Sequence, residues 1–271
     1  MGAGAAIHFF LVGMKRLVLT GTLLATVLFG AAVAHGEISA DGSLFVSFNG
    51  GFTPHTLPRD RNAPVKVRLS TSIRTADGSR PPRLRQIVLA VNRYGHISTE
   101  GLPACSPDLL ESTDPSTALA RCGDALIGRG QLTANLEFSD RPPLPAHGEI
   151  LAFNGRDHGR PVILLHIYGS QPVNVTVVLV FSIRHPAKGK FGTVLKTRIP
   201  RIAADLGYVT KASLTFNRRY RYRGRERSFL SARCAAPSGF SGAIFSFTRG
   251  RFAFAGGKKI TTTLTRTCAV R

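Results

Sequence analysis

Alternation of apolar and polar residues predicts β-strands along most of the chain. Residues 65–69 alternate apolar and charged side chains, which is typical of a strand with one buried face. Residues 86–91 and 162–167 are continuous apolar runs, and residues 173–183 are a longer stretch rich in valine; all three are typical of strands buried on both faces. Three further short runs extend the pattern to the end of the chain: 243–248, 251–254 and 260–267.

Turn and cap residues divide these runs. Asp77-Gly78, Asn154-Gly155 and Gly256-Gly257 predict turns, and the last pair predicts a two-residue hairpin. The clearest helical signal is at residues 114–122, and a weaker one is at residues 202–206, which lie outside the residues that the structure describes. Asp114 can cap a helix whose first residue is Pro115, and the helix is predicted to continue through residues 116–122.

The N-terminus has the pattern of an export signal. Met14-Lys15-Arg16 is followed by an apolar run, residues 17–30, and then by the small-residue sequence at 31–34. This order predicts a cleaved signal peptide over residues 1–34, and the residues before the charges are explained if translation starts at Met14. The alternative is an uncleaved transmembrane anchor, but the apolar run is only marginally long enough to span a bilayer. The predicted localisation is therefore secreted or extracellular, with no membrane span left after cleavage.

Four cysteines, an even number, predict disulfides in an exported chain. Three pairings are possible, and we favour the local one, which joins Cys105 to Cys122 and Cys234 to Cys268. A zinc site is not expected, because the sequence has no C-x-x-C pair and no histidine at ligand spacing from a cysteine.

Together these patterns predict an all-β fold that is antiparallel and sandwich-like, with a short helix in the first disulfide loop. Prolines cluster at residues 139–148, and the charge balance changes there. We therefore divide the chain into an N-terminal β-region, residues 35–145, and a C-terminal β-region, residues 146–271. One large domain and two packed β-domains both fit this division.

Positive charge is concentrated in the C-terminal region. The whole chain carries a formal net charge of +21 at pH 7. Residues 35–145 hold 12 Lys/Arg and 11 Asp/Glu, whereas residues 146–271 hold 22 Lys/Arg and 4 Asp/Glu. Such asymmetry predicts an anionic partner for the basic region.

Four short segments resemble one group of bacterial proteins. They are GLPAC at residues 101–105, ALARCG at 118–123, FNG at 153–155 and SARCAAPSGF at 231–240. In these segments the chain resembles uncharacterised secreted proteins of high-GC, Actinobacteria-like soil bacteria. The resemblance implies an exported bacterial protein, and it implies no activity, cofactor or site residue.

Motifs that would identify an enzyme are absent from the sequence. It contains no G-x-S-x-G elbow, no H-E-x-x-H, no P-loop and no G-x-G-x-x-G. We therefore assign no catalytic residue, no metal ligand and no cofactor. Asp157-His158 could form an acid–base pair, but a solvated turn is the simpler interpretation. His166 lies within an apolar strand, which favours a hydrogen-bonded core histidine.

The strongest local signal is NRRYRYRGRERSF, residues 217–229, with six arginines and two tyrosines. Strand alternation places the tyrosines on one face and Arg219, Arg221 and Arg223 on the other. Gly224 predicts a turn, after which the returning arginines would stand opposite those of the first strand, a repulsive arrangement. The candidate anion-binding residues are Arg218, Arg219, Arg221, Arg223, Arg225, Arg227, Tyr220 and Tyr222.

These observations favour an exported non-enzymatic protein that associates with an anionic cell-surface or extracellular polymer through its basic C-terminal half. Arginine binds phosphate and carboxylate in bidentate fashion, and tyrosine can stack on rings. Nucleic acid is not expected as the partner of an exported chain. The alternative is a secreted polysaccharide-acting hydrolase or lyase on a β-sandwich scaffold, which would require a cleft holding two carboxylates.

Overall fold

Strands make up most of the described chain, as the alternating pattern predicts. The computed structural model describes residues 36–171, 174–201 and 207–271. The predicted signal peptide, residues 1–34, lies outside the described residues. The strands are β1 (Glu37–Asp41), β2 (Leu44–Thr53), β3 (Thr56–Leu57), β4 (Ala63–Pro64), β5 (Lys66–Thr75), β6 (Leu84–Asn92), β7 (Gly95–Ile97), β8 (Leu126–Phe138), β9 (Arg141–Asp157), β10 (Arg160–Gly169), β11 (Val175–Arg184), β12 (Phe191–Arg198), β13 (Gly207–Phe216), β14 (Arg219–Tyr222), β15 (Arg225–Ser228), β16 (Leu230–Ala232), β17 (Gly242–Phe254) and β18 (Lys259–Val270).

Thirteen of these strands form one large sheet. Their order is β1-β2-β5-β13-β8-β9-β10-β11-β12-β6-β17-β18-β3. Within this sheet β18 and β3 pair in parallel, whereas the other neighbours pair antiparallel. A three-stranded sheet, β4-β16-β7, and a two-stranded hairpin, β14-β15, complete the strand pairing. The predicted all-β, antiparallel fold is confirmed.

The large sheet curls, so that β1 and β2 near one end contact β18 near the other. One face of the sheet therefore turns inward, and apolar side chains collect there in two clusters. Phe48 and Phe52 of β2 pack against Phe252 and Phe247 of β17 in the first cluster. The second cluster joins strands from the middle of the sheet to the segment that follows β15. The two halves of the curled sheet thus face each other across an apolar interior, which gives the sandwich-like arrangement.

Strand β10 is buried on both faces, as its continuous apolar run predicts. Ile163 and Leu165 belong to the second apolar cluster of the interior, whereas Leu164 packs against the first disulfide loop on the opposite face. His166 shares that second face and is fully buried. Its Nε2 lies 2.9 Å from the carbonyl oxygen of Thr113 and 3.1 Å from the Thr113 hydroxyl. The histidine therefore anchors the disulfide loop to the sheet, in agreement with a core role.

The short helix lies within the first disulfide loop, as predicted. Helix α1 (Pro115–Cys122) begins with Asp114 as its N-cap, whose carboxylate accepts a hydrogen bond from the Thr117 backbone N–H at 2.7 Å. That hydrogen bond is the main reason that the pKa of Asp114 lies below its ordinary value of 3.8. The stabilising effect of the cap is therefore complete above the ordinary pKa and is lost as the pH falls through the lowered value.

Both disulfides have the sequence-local pairing that we favoured. Cys105 pairs with Cys122 and Cys234 with Cys268, with Cα–Cα distances of 5.6 Å and 5.8 Å. All four cysteines are buried. Between residues 36 and 271, outside the two undescribed gaps, no helix has the length and apolar content needed to cross a membrane.

One predicted turn is wrong. Asn154-Gly155 lies inside β9, and the Asn154 side-chain amide donates to the Pro103 carbonyl oxygen at 2.8 Å. Gly155 is required by packing, because a Cβ at this position would lie 2.6 Å from the side chain of Leu164. The pair therefore fastens the disulfide loop to β9 and does not reverse the chain.

The N-terminal and C-terminal β-regions contribute alternately to the same sheet. Strand β13 from residues 146–271 lies between β5 and β8 from residues 35–145. The proline-rich residues 139–148 form the turn after β8 and the first part of β9. Gly36–Arg271 is one compact unit.

Candidate ligand cavity and arginine hairpin

The arginine-rich segment forms a tight hairpin, β14-β15. Arg223 and Gly224 form its two-residue turn, and both have positive φ, 50° and 72°. Two consecutive positive φ angles are the signature of a type I′ turn, whose twist suits a two-residue hairpin. The turn sets the register of every cross-strand pair in the hairpin.

That register removes the expected repulsion between arginines. Arg221 pairs with Glu226, and the two tyrosines pair with Arg225 and Arg227. The expectation that arginines stand opposite one another is therefore wrong. With Arg223 and Gly224 as the two turn residues, Glu226 of the returning strand stands opposite Arg221. The side chains of Arg219 and Glu226 also approach to 3.7 Å.

The six arginines divide into two groups by their contacts. Arg227 forms a 3.0 Å salt bridge with Glu100, and Arg218 donates to the Asp124 carbonyl oxygen at 3.3 Å. Arg219 contacts Glu226 as described above. The remaining three, Arg221, Arg223 and Arg225, are exposed around the turn. These three form the part of the predicted anion-binding set whose charge is directed to solvent.

The tyrosines attach the hairpin to the body of the protein. The Tyr220 hydroxyl donates to the Glu100 carbonyl oxygen at 2.7 Å, and the Tyr220 side chain packs against the second apolar cluster. The ring of Tyr222 lies over Gly101, and the guanidinium of Arg227 is 5.5 Å from its centroid. Both tyrosines are half-buried. They hold the hairpin in place and leave the exposed arginines at its tip.

Substitution of Gly101 is expected to detach this hairpin. Gly101 has a φ of +78°, and an added Cβ would lie 2.3 Å from the ring of Tyr222. We expect Gly101→Ala to lower the free energy of unfolding by about 1–3 kcal/mol, as overpacking does. It should also accelerate amide hydrogen exchange in residues 219–228. Gly78→Ala is the matched control, because Gly78 has a φ of +73° but no atom within 4 Å of the added Cβ. Equal losses in the two variants would contradict the packing role.

The other candidate groups do not form a catalytic cluster. Asp157 and His158 lie at the turn between β9 and β10, 3.7 Å apart, and the His158 side chain is 95% exposed. A pair of carboxylates for hydrolysis would have to include acidic residues of the basic region, among them Glu149 and Asp205, and Glu149 forms a 3.0 Å salt bridge with Arg129. Asp205 lies outside the described residues. Within the described ranges there is no group of three or more His, Cys, Asp or Glu side chains that could hold a metal ion.

A cavity of about 440 Å³ lies between the two halves of the curled sheet. Its walls come from strands on both sides, with Leu89 and Leu165 from the middle of the sheet and Phe247 and Phe252 from β17. Ala212 and Leu214 of β13 also line it. The described residues that line the cavity include no aspartate or glutamate. The space suits a molecule that is itself apolar.

Several lining residues are also exposed and therefore mark where the cavity meets solvent. Tyr94 is 38% exposed and Ile244 is 76% exposed. His96 and Pro237 are exposed as well, and Arg233 is half-buried beside them. The Arg233 guanidinium lies 5.1 Å from the Tyr94 ring and donates to the Asp60 carbonyl oxygen at 3.3 Å. We call this group the rim: Tyr94, His96, Arg233, Pro237 and Ile244.

The cavity was not predicted by the sequence reasoning. Leu89, Leu165 and Leu214 occupy inward strand positions, and alternation predicts their burial but not the space that they enclose. The available signal was small residues, such as Ala212 and Ala243, at inward positions between large ones. Small side chains on both walls leave room that larger ones would fill.

Comparisons with known proteins find no matching protein-family model, no matching curated protein and no matching solved structure.

Proposed function

We propose that this chain is an exported, non-enzymatic binding protein that holds one small apolar molecule, of the single-chain lipid type, in its interior cavity. The observation that carries the proposal is the cavity of about 440 Å³ lined by aliphatic and phenylalanine side chains. Ligand pockets typically measure about 300–1,000 Å³ and are mostly apolar with a few polar groups. The cavity has this composition, with Arg233, His96 and Tyr94 at its rim.

The energetics of packing support an occupant. Protein interiors pack as densely as organic crystals, so a space of this size is unusual. Because this cavity opens to solvent at its rim, a ligand would cover apolar wall side chains that otherwise contact water, and such burial is favourable by roughly 25 cal/mol per Å². Domains are typically stable by only about 5–15 kcal/mol. A molecule that fills the cavity would therefore stabilise the fold substantially.

The lining chemistry favours binding over hydrolysis. A glycoside hydrolase needs two carboxylates on either side of the scissile bond. The cavity walls offer no carboxylate among the residues described, and sugars bring hydroxyl groups that these walls could not satisfy. This composition supports the binding role over the polysaccharide-acting alternative.

Export is part of the proposal. Two buried disulfides are characteristic of proteins made for an oxidising compartment, and the N-terminal pattern predicts a signal peptide. We also propose that the chain is one of the exported bacterial proteins that it resembles. A protein in that compartment could carry an apolar molecule through water outside the cell membrane.

A fluorescence titration tests the binding role. The probe is an uncharged long-chain alcohol with pyrene at its tail, and the protein is residues 36–271 with both disulfides formed. We expect saturation at one probe per chain with a Kd of about 1 μM or lower. Unlabelled dodecanol should displace the probe. Absence of saturable binding, or binding that dodecanol does not reverse, would reject the proposal.

A second role rests on the exposed tip of the hairpin. We propose that Arg221, Arg223 and Arg225 bind an anionic cell-surface or extracellular polymer, because these three residues are exposed at and beside one tight turn. Arg218, Arg219 and Arg227 have hydrogen-bond or carboxylate partners within the chain, so the three arginines at the turn are the residues to change.

Retention on an immobilised polyphosphate polymer tests this second role. Binding should weaken steeply as salt rises, and it should fall in the variant with all three arginines changed to Gln. The control removes the same charge elsewhere in the basic region, by Gln at the exposed Arg160, Arg184 and Arg198. Equal losses in both variants would show a general charge effect and would exclude a site at the hairpin.

A further inference from the structure

Exposed apolar side chains gather at the rim of the cavity. Among the described residues, the exposed large apolar side chains are Ile38, Tyr94, Leu109, Phe240 and Ile244. Tyr94 and Ile244 line the cavity, and Phe240 is tied to the rim because its N–H donates to the carbonyl oxygen of Pro237 at 3.2 Å. Phe240 is 65% exposed and Ile244 is 76% exposed. Phe240 and Ile244 therefore place two large apolar side chains in solvent on segments that also line the cavity, and exposed apolar surface is a feature of interaction sites.

The loop that carries Phe240 is held in place. The Arg59 guanidinium donates to the carbonyl oxygens of Ala236, Pro237 and Phe240. The disulfide from Cys234 fixes the beginning of the same loop, and β17 fixes its end at Gly242. The exposed position of Phe240 is therefore set by the fold around it.

Positive side chains surround these apolar groups. Arg59 holds the Phe240 loop, and Arg233 stacks on Tyr94. Arg93, adjacent to Tyr94, donates to the carbonyl oxygens of Ala187 and Gly189, which brings the exposed lysines of that loop near the rim. These lysines are Lys188 and Lys190. The exposed carboxylate of Asp60 is the acidic side chain next to Arg59.

We infer that the rim docks on an anionic lipid bilayer, with Phe240 and Ile244 entering the interface and the surrounding arginines and lysines contacting the headgroups. This inference rests on the proposed function, because it places the mouth of the cavity against the source of an apolar ligand. Exposed apolar side chains combined with several cations suit the boundary between headgroups and acyl chains.

Flotation with lipid vesicles tests the docking surface. The protein, residues 36–271, is mixed with vesicles of phosphatidylcholine alone or of phosphatidylcholine with phosphatidylglycerol. We expect binding to the anionic vesicles that weakens with salt. The variant Phe240→Ser with Ile244→Ser, here called the rim variant because Phe240 lies on the loop that begins at rim residue Pro237, should bind them about tenfold less tightly or worse, since two apolar side chains no longer leave water. The control is Ile38→Ser, because Ile38 is 65% exposed and lies on β1, outside the rim.

The outcomes separate the inference from the function on which it rests. Equal flotation of the rim variant and the wild type, or equal binding to neutral and anionic vesicles, would overturn the docking inference. So would loss of binding in the hairpin variant with Gln at Arg221, Arg223 and Arg225 while the rim variant binds normally. The pyrene probe is titrated in parallel without vesicles. Normal probe binding with failed docking would leave the cavity role intact, whereas docking without probe binding would reject the cavity role.

Discussion

Replacing Ala212 by Trp is expected to weaken binding of the pyrene probe at least about tenfold, which corresponds to about 1.4 kcal/mol. Ala212 is a small residue in the middle of β13. Its side chain packs against the second apolar cluster and lines the cavity. An indole ring at this position would occupy volume that the ligand needs. Since the ring fills space and does not break a contact, the free energy of unfolding should rise by about 1 kcal/mol, as cavity-filling substitutions commonly achieve.

The opposite wall supplies a second variant. Ala243 of β17 also lines the cavity, so Ala243→Phe should weaken binding in the same direction. Thr261→Trp is the control, because Thr261 is exposed on β18 and the added ring points away from the cavity. Unchanged probe affinity in folded Ala212→Trp and Ala243→Phe proteins would place the ligand elsewhere. The folded state of each variant is checked by its denaturation curve.

Removal of the Cys234–Cys268 disulfide should lower the free energy of unfolding by about 4 kcal/mol in the chain-entropy model. The bond joins cysteines 34 residues apart, and both are buried in the first apolar cluster, which also contains Phe48 and Phe252. It links the chain just after β16 to the end of β18 and closes the segment that contains Phe240. The double variant Cys234→Ala with Cys268→Ala avoids leaving a buried polar group. Denaturation in urea measures the loss.

The first disulfide provides the comparison for the second. Cys105 and Cys122 are 17 residues apart, so their removal should lower the free energy of unfolding by about 3 kcal/mol. That bond closes the loop around α1 and does not touch the cavity lining. Removal of the Cys105–Cys122 disulfide should therefore lower probe affinity less than removal of the Cys234–Cys268 disulfide. The reverse order in stability or in probe affinity would contradict this account.

Much of the fold follows from local patterns in the sequence. Residues 162–167 form a continuous apolar run, and β10 is buried on both faces because the disulfide loop covers the face that carries Leu164. The cap and proline at Asp114-Pro115 start α1 at the predicted residue. The disulfide pairing follows from separation along the chain. These features depend on neighbours in sequence, so alternation and capping are sufficient to predict them.

Features that depend on distant residues were less predictable. Gly256-Gly257 predicts a hairpin, and β17 and β18 do form one, but the turn spans the three residues Ala255–Gly257. The sequence predicts a turn at Asn154-Gly155. In the structure, β10 and the disulfide loop pack against these two residues, which lie within β9. The cavity depends on how far the large sheet curls and on how its two halves are spaced. No single segment encodes that spacing.

The arginine hairpin lies between these two cases. Alternation predicts the direction of the tyrosines, and Tyr220 and Tyr222 do face the body of the protein. The register depends on the positive φ of Arg223, which is uncommon for a residue other than glycine. One residue of difference in the turn decides whether Glu226 or an arginine stands opposite Arg221. The pairing of charges across the hairpin therefore could not be predicted without the backbone geometry of its turn.

Crystallography with a brominated ligand tests the central claim most directly. The protein, residues 36–271, is crystallised with a long-chain alcohol that carries bromine near its tail, and anomalous scattering locates the bromine. We expect one bromine per chain inside the curled sheet, among Leu89, Leu165 and Phe247. Anomalous density only on the surface, or inward side chains that close the space between the two halves of the sheet, would contradict it.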